Sequence, residues 1–378
     1  MHMLLLLACQ RQELPASGIA TDVESPREVS GATPTQHSAH AEPATYLLLG
    51  RDSAPYLYRL VRIPSSCLVE ALGCSSPEVI DAFPAEGITP SHLFWSPFNE
   101  LAIILDTYGQ RVLLLDPASG ELKTLFTGIA TISDELVWLD DGKAMLVVQG
   151  SDAYSSDVVG LSMLEGTPKM ESVFQFEGLA HLLGTLANGH LLVRVDIYGV
   201  TDPSRPGKET LVEIQLVEVD PTTGTVRRYL PGIDWTSNTP SLVLSDGFHL
   251  LGSTAGRTLL WDARSAVSED LGPTVTWPTG SPDGKSVAYI KQSADGGGFS
   301  LTLLSLDDGQ SSELVGLPVS PRPFWSPDSR LIVLGQFALD ASADLGSLRV
   351  VDVDTGNVAI PNIAFGDYPV VLDVSWGP

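Results

Sequence analysis

Short apolar runs, each bounded by turn residues, recur along most of this chain. Runs at 101–105, 286–290 and 331–334 have the length of buried β-strands and contain mainly Leu, Ile, Val and Tyr. Each run follows a dipeptide that begins with Asp or Asn. Because Asn, Asp and Gly tolerate a positive φ, such dipeptides favour a tight turn between two strands. The six dipeptides are Asn99-Glu100, Asp141-Gly142, Asn188-Gly189, Asp246-Gly247, Asp283-Gly284 and Asp328-Ser329.

A second hairpin follows each of these turns at a regular offset. It consists of a strand, a turn that contains Gly, and another strand. Clear copies span 112–125, 217–230, 302–315 and 350–360, and weaker copies span 159–174 and 259–271. Four antiparallel strands in about 45 residues are typical of a β-propeller blade. The units begin near residues 93, 136, 182, 241, 275 and 323.

The two ends of the chain supply one further unit. The run 371–378 matches a first strand, and residues 45–74 match the two strands and the turn that should follow it, with 75–83 as the outer strand. Pairing between the ends would close the ring and remove open sheet edges. The sequence therefore predicts an all-β, seven-bladed propeller over residues 45–378, with six or eight blades as alternatives.

Three of the turns between the first and second strands of a unit share a longer motif. It occurs in Trp95-Ser96-Pro97, Ser281-Pro282-Asp283 and Trp325-Ser326-Pro327-Asp328. With the strands that follow, it resembles the WD40-like repeat of TolB-type propellers over residues 45–378. In that family the repeat occurs in periplasmic binding and assembly proteins and in the non-catalytic propeller of prolyl-oligopeptidase-like enzymes. The resemblance therefore implies a fold and leaves the activity open. The units near 182 and 241 lack the Trp and the Pro.

The recurring tryptophans are predicted to pack between blades because they occupy the same position in their units. They are Trp95, Trp138, Trp325 and Trp376.

The N-terminal residues suggest export. Residues 1–9 are apolar and end in Leu6-Leu7-Ala8-Cys9, which resembles a bacterial lipobox with Cys9 as the lipidated residue. The stretch lacks a basic region and is short for a signal, so it is interpreted as a truncated lipoprotein signal, with chance resemblance as the alternative. Residues 10–44 have no apolar period and are predicted to be a disordered tether. The expected location is the bacterial envelope, outside the cytoplasm.

Two further cysteines, Cys67 and Cys74, lie close together in the N-terminal unit. In an exported chain they would form a disulfide, and in a cytosolic chain they would stay reduced thiols. No apolar run reaches 18 residues, so the sequence predicts no membrane-spanning helix and membrane contact only through a lipid anchor.

The net charge of the chain restricts the classes of molecule that it is expected to bind. The chain carries 21 Lys and Arg against 46 Asp and Glu, a net charge of −25, which disfavours nucleic acid and anionic lipid. Acidic loops leave a weak Ca²⁺ hypothesis, with ligands from Asp152 and Asp157 or from Asp340 and Asp344. No other cofactor is predicted, and a monomer is expected.

Loop length indicates where a site could lie. The second-to-third and blade-to-blade connections are long, at 150–157, 196–209, 231–240, 292–299 and 337–346, and they share one rim. Aromatic and Arg side chains near this rim are the candidate contacts for a ligand or partner because such residues dominate binding hot spots. These are Tyr108, Tyr154, Tyr198, Trp235, Arg322 and Tyr368.

No nucleophile elbow, zinc-protease helix or phosphate-binding loop occurs in the sequence. We therefore predict a lipid-anchored binding or scaffold protein that recognises a protein or a small ligand with its long-loop rim. One alternative is a propeller hydrolase or lyase with a metal-assisted site in the central channel. Another is a propeller derived from a peptidase-like ancestor that now serves only as a gate or an interaction surface.

Overall fold

The structure is a computed structural model of the chain. It describes residues 44–50, 58–69, 78–83, 90–96, 102–106, 111–116, 121–127, 132–139, 141–149, 155–162, 168–200, 209–229, 239–254, 256–265, 267–273, 275–293, 298–317, 321–335, 348–361 and 370–376.

Within these residues the chain forms seven antiparallel sheets of four strands, which are the blades of a seven-bladed β-propeller. The N-terminal elements are β1 (Ala44–Gly50), β2 (Tyr58–Pro64), α1 (Ser66–Val69) and β3 (Glu78–Phe83). Blade 1 contains β4 (Pro90–Trp95), β5 (Ala102–Asp106), β6 (Arg111–Asp116) and β7 (Glu121–Thr127). Blade 2 contains β8 (Ile132–Trp138), β9 (Ala144–Gln149), β10 (Ser155–Ser162) and β11 (Lys169–Glu177). Blade 3 contains β12 (Leu179–Thr185), β13 (Leu191–Val200), β14 (Glu209–Val219) and β15 (Val226–Arg228).

The remaining blades follow the same order. Blade 4 contains β16 (Thr239–Val243), β17 (His249–Thr254), β18 (Arg257–Asp262) and β19 (Val267–Pro273). Blade 5 contains β20 (Val275–Gly280), β21 (Ser286–Gln292), β22 (Phe299–Ser305) and β23 (Ser311–Leu317). Blade 6 contains β24 (Arg322–Trp325), β25 (Leu331–Gly335), β26 (Arg349–Asp352) and β27 (Val358–Ala359). Blade 7 combines β28 (Val370–Trp376) with β1, β2 and β3.

The core of the propeller consists of clusters that lie between consecutive blades. In β1, Leu47 and Leu49 pack against blade 6, whereas Tyr46 and Leu48 pack against blade 1. Both faces of such a strand are therefore buried, which explains why the sequence shows continuous apolar runs instead of an alternation of apolar and polar residues. The recurring tryptophans pack into these clusters, as the sequence predicted.

Strand β28 closes the ring by pairing antiparallel with β1, from Thr45 opposite Trp376 to Gly50 opposite Val370. A buried hydrogen bond then links blade 7 to blade 1, because the backbone N–H of Leu93 donates to Asp373 Oδ2 at 2.9 Å. This confirms the predicted seven blades and the predicted closure by the two ends of the chain. The segment after β2 begins with the helix α1, where the sequence had predicted only a turn.

The Ser-Pro-Asp motif builds a turn that satisfies its own polar groups. Ser281 Oγ donates to Asp283 Oδ1 at 2.6 Å and accepts from the backbone N–H of Ser286 at 2.9 Å. Ser326 makes the equivalent contacts with Asp328 and Leu331, at 2.5 and 2.8 Å. The motif is therefore a structural device for the turn between the first and second strands.

These short turns also contact each other across blades. The backbone N–H of Ala187 donates to Gly247 O at 3.3 Å, which joins blades 3 and 4. The backbone N–H of Asp283 donates to Ser329 Oγ at 3.0 Å, which joins blades 5 and 6. The short turns thus form one rim, and the second-to-third and blade-to-blade connections lie on the opposite, long-loop rim. The predicted long connection 196–209 is shorter in the structure, because residues 196–200 extend β13 and residue 209 begins β14. Residues 336–348 separate β25 from β26, whereas only 255–256 separate β17 from β18. A single residue separates β11 from β12 and β19 from β20, so these blade-to-blade connections are not long as predicted.

Contact between the turns of blades 3 and 4 can be tested with glycine substitutions. Gly247 has a φ of 70°, and a Cβ atom there would lie 2.2 Å from Ala187 N. Gly189 has a φ of 80°, but a Cβ atom there would meet nothing within 4 Å. Both Ala variants should lose about 1–2 kcal/mol of unfolding free energy from the positive φ. Gly247→Ala should lose about 1–3 kcal/mol more from the clash. Urea denaturation measures both losses, and equal losses would contradict the predicted contact.

Candidate functional site

The innermost strands of the propeller are the first strands of the blades, and they contact each other around the centre. They form the edges of their sheets, where a proline does not remove a ladder hydrogen bond. Four of these first strands contain a proline, namely Pro90, Pro240, Pro278 and Pro323. The wall of the central channel is therefore built from edge strands that are protected against further pairing.

A cavity of about 540 Å³ lies along this wall, lined by β16, β20, β24 and β28. The volume falls in the range of roughly 300–1,000 Å³ that holds small molecules. Arg322 and Trp277 lie near the start of their strands, at the end next to the long-loop rim. Trp325 and Gly280 lie next to the short turns, so the cavity follows much of the length of the channel wall.

Arg322 is the predicted candidate that the structure places in this cavity. Its guanidinium carbon Cζ lies 5.3 Å from the ring centroid of Phe324 and 5.9 Å from that of Trp277, within cation–π distance. The prolines on either side, Pro321 and Pro323, restrict the backbone of the arginine. Among the described residues, no carboxylate forms an ion pair with Arg322.

Trp277 was not predicted as a site residue. It has a φ of 52°, which is rare for a bulky side chain, and it lies in a β-bulge between Thr276 and Thr279. The bulge leaves the indole 46% exposed beside the cavity. One signal in the sequence could have identified it: the tryptophan lies three residues before the usual position in its unit and is followed by Pro278, which marks a bulge when it occurs in a strand.

Asp373 is the acidic residue of the cavity wall, and it too was not predicted. Its side chain is largely buried on β28. Oδ2 accepts the hydrogen bond from Leu93, and Oδ1 accepts from the backbone N–H of Val374 at 2.9 Å. His92 Nδ1 lies 3.7 Å from Oδ2. A carboxylate offers about four acceptor positions, so these donors do not exhaust it.

Among the other predicted contact residues and cysteines, the structure describes Tyr198 and Cys67, and neither lines this cavity. Tyr198 lies near the end of β13, opposite Leu211, on the long-loop side of blade 3. Cys67 lies in α1. Several predicted residues lie outside the described residues, so their roles stay predictions. These are Tyr108, Tyr154, Trp235, Tyr368, Cys9, Cys74, Asp152, Asp340 and Asp344.

Each of the four propeller histidines lies beside a carboxylate, and the pairs are spread over several blades. The pairs are His92 with Asp373, His181 with Asp196, His190 with Glu218, and His249 with Asp246. Asp157, a proposed Ca²⁺ ligand, accepts a hydrogen bond from Ser172 at 2.6 Å. Where side chains are described, no group of three or more His, Cys, Asp and Glu could hold a metal ion. No described helix has the length and apolar content needed to cross a membrane.

The most buried of these carboxylates, Glu218, is held by Arg227 of β15 and by the turn between the first and second strands of blade 3. Arg227 Nε, Arg227 Nη2 and Asn188 Nδ2 each donate to it at 2.7 Å, and His190 Nδ1 lies 2.7 Å from Oε1. Burial alone would raise the pKa of Glu218, but the hydrogen bonds from Arg227, Asn188 and His190 outweigh it, so the pKa is lowered. The carboxylate is fully engaged by protein groups, which indicates a structural role.

Comparison with known proteins gives the fold. No protein-family model matches the chain, and no curated protein matches it. The chain is similar to a putative 6-phosphogluconolactonase from Bacteroides fragilis (14% identity, TM-score 0.56, 91% of this chain and 100% of that one). It is similar to an oligogalacturonate lyase from Vibrio parahaemolyticus (12% identity, TM-score 0.53, 77% of this chain and 83% of that one). It is also similar to TolB from Acinetobacter baumannii (15% identity, TM-score 0.46, 88% of this chain and 83% of that one). Identities this low show the shared propeller fold alone.

The backbone at Trp277 can be tested by comparing two truncations. Glycine adopts a φ of 52° freely, whereas alanine is strained there by about 1–2 kcal/mol. Trp277→Gly should therefore have the higher unfolding free energy by about 1 kcal/mol, although glycine in an ordinary strand is less stable than alanine. Chemical denaturation of the two variants shows which one has the higher unfolding free energy. A more stable Trp277→Ala would mean that the bulge does not hold this residue at positive φ.

Proposed function

We propose that this protein is an extracytoplasmic binding protein that holds a small anionic ligand in the cavity of its central channel. The observation that supports the proposal most directly is the environment of the Arg322 guanidinium. The guanidinium lies within cation–π distance of two aromatic rings at the cavity, and no carboxylate of the described residues forms an ion pair with it. An arginine held in this way is preorganised for two parallel hydrogen bonds to a carboxylate or phosphate.

Local contacts must provide the affinity in this proposal. The net charge of −25 repels anions at long range, so the overall field does not attract the ligand. The guanidinium lies beside apolar walls, where a charge-assisted hydrogen bond is stronger than in water. The cavity volume supports a small ligand over a protein partner. In this proposal Tyr108, Tyr154, Tyr198, Trp235 and Tyr368 remain further contacts at the same rim.

The location forms part of the same proposal. The lipobox-like residues that end at Cys9 support attachment to a membrane by lipid, and residues 10–44 would then act as a tether for the propeller. The resemblance of the Trp-Ser-Pro-Asp turns to TolB-type repeats is consistent with a role in the cell envelope.

Ligand capture is tested by thermal unfolding with a panel of small carboxylic acids and organic phosphates. A ligand present at ten times its Kd stabilises the folded state by about 1.4 kcal/mol. We expect at least one compound to raise the Tm of the wild-type protein and to have no effect on Arg322→Ala.

The matched control for that experiment is Arg264→Ala. Arg264 also stacks on an aromatic ring, with Cζ 4.9 Å from the centroid of Phe248, but it lies away from the cavity and is paired with Asp262 at 2.9 Å. This variant should respond to the ligand like the wild-type protein. If no compound stabilised the wild-type protein, or if Arg322→Ala responded equally, the proposed function would be wrong.

Lipid attachment is tested in cells that express the chain with its native upstream DNA. Cys9→Ser should abolish labelling by a palmitate analogue and release the protein from the membrane fraction, because the thiol is the acylated group. Cys67→Ser is the control and should keep the label. Unlabelled wild-type protein would contradict the proposed anchor and leave the ligand site unaffected.

A further inference from the structure

The cavity wall carries two opposite charges that do not neutralise each other. Arg322 on blade 6 and Asp373 on blade 7 both line the cavity. Within the described residues they form no ion pair with each other, and none links either of them to a Lys, Arg, Asp or Glu. Two opposite charges on one small cavity would normally be expected to pair, so what keeps them apart needs an explanation.

Each charge is fixed by its own surroundings. The guanidinium of Arg322 is held on the rings of Phe324 and Trp277. The carboxylate of Asp373 is held by backbone N–H groups of Leu93 and Val374, which belong to two different blades. Because both side chains are anchored, neither can move to the other without losing these contacts. The guanidinium keeps its donors for a ligand, and the carboxylate keeps part of its acceptor capacity.

Apart from Thr279, the other side chains that line the cavity are apolar or aromatic. Leu242, Pro278, Phe324, Trp325 and Val374 contribute to the wall, together with the exposed indole of Trp277. A ligand that fits this wall has a polar head that faces both charges and an apolar or aromatic body that packs on the rings.

We propose that the ligand is a small zwitterion whose carboxylate binds Arg322, whose ammonium group binds Asp373 and whose apolar body packs on Trp277. This inference rests on the proposed function, because it specifies the ligand of the same cavity. A simple organic acid would offer no ammonium group to the buried carboxylate of Asp373, which would keep only its longer contact with His92 Nδ1, at 3.7 Å, among the described basic side chains. A simple amine would leave the guanidinium without an anionic one. Each missing charge-assisted contact should weaken binding at least about tenfold.

Three probes of matching shape separate these possibilities, namely L-phenylalanine, 3-phenylpropionate and 2-phenylethylamine. The second lacks the ammonium group and the third lacks the carboxylate. Calorimetric titration of the wild-type protein should give the tightest binding for phenylalanine, with both other probes at least about tenfold weaker. Equal or tighter binding of phenylpropionate would overturn the inference, and so would the failure of all three probes to bind at millimolar concentration.

A variant of the acidic residue provides the second readout. Asp373→Asn keeps an oxygen for the Leu93 hydrogen bond and removes the charge. The preference for phenylalanine over phenylpropionate should disappear in this variant. Because this preference is a ratio measured on one preparation, partial unfolding does not change it. A preference that persisted in Asp373→Asn would overturn the inference.

The same titrations, repeated with Arg322→Ala, test the proposed anion site separately from the zwitterion. If phenylpropionate binds the wild-type protein as tightly as phenylalanine does, and its binding is lost in Arg322→Ala, the zwitterion is wrong and the anion site stands. If binding of every probe survives in Arg322→Ala, the anion site itself is wrong.

Discussion

Closure of the ring by β28 is the constraint on which the rest of this structure depends. The central strands of a blade are apolar on both faces, as in β1, where Leu47 and Leu48 belong to different core clusters. Each blade therefore needs a neighbour on either side, and only a closed ring gives every blade two neighbours. Pairing of Thr45 with Trp376 completes blade 7 from the two ends of the chain. The entropy cost of joining distant ends grows only slowly with chain length, so a long ring can still close.

Closure also builds the candidate site. Asp373 lies on the closing strand, and its carboxylate bonds to the backbone of blade 1 while it lines the cavity. Arg322 and Trp277 reach the same cavity from blades 6 and 5. The charged wall thus exists only in the closed ring, which links the stability of the last blade to the proposed ligand cavity.

Apart from Trp325, which also lines the cavity, the repeat and the site use different residues. The Ser-Pro-Asp residues satisfy one another's hydrogen bonds in the short turns, and the recurring tryptophans fill the spaces between blades. The cavity depends on departures from the repeat. In blade 5 the usual tryptophan position holds Gly280, and a tryptophan appears instead at 277, before a proline. Arg322 also lies at the start of a strand and not within a long loop, so loop length did not indicate the element that carries it.

The sequence by itself determined the local architecture. Apolar runs, turn dipeptides and their spacing depend on neighbouring residues, so they predicted the strands, the four-stranded units and the closure by the chain ends. It also predicted a contact residue near the long-loop rim, Arg322, which the structure places at the cavity. It could not show that Leu242, Trp277, Arg322 and Asp373 face one cavity, because they come from four blades and no local pattern relates them. Only the tertiary structure decided which charges stay unpaired, since this depends on the rings and backbone groups that hold each side chain in place.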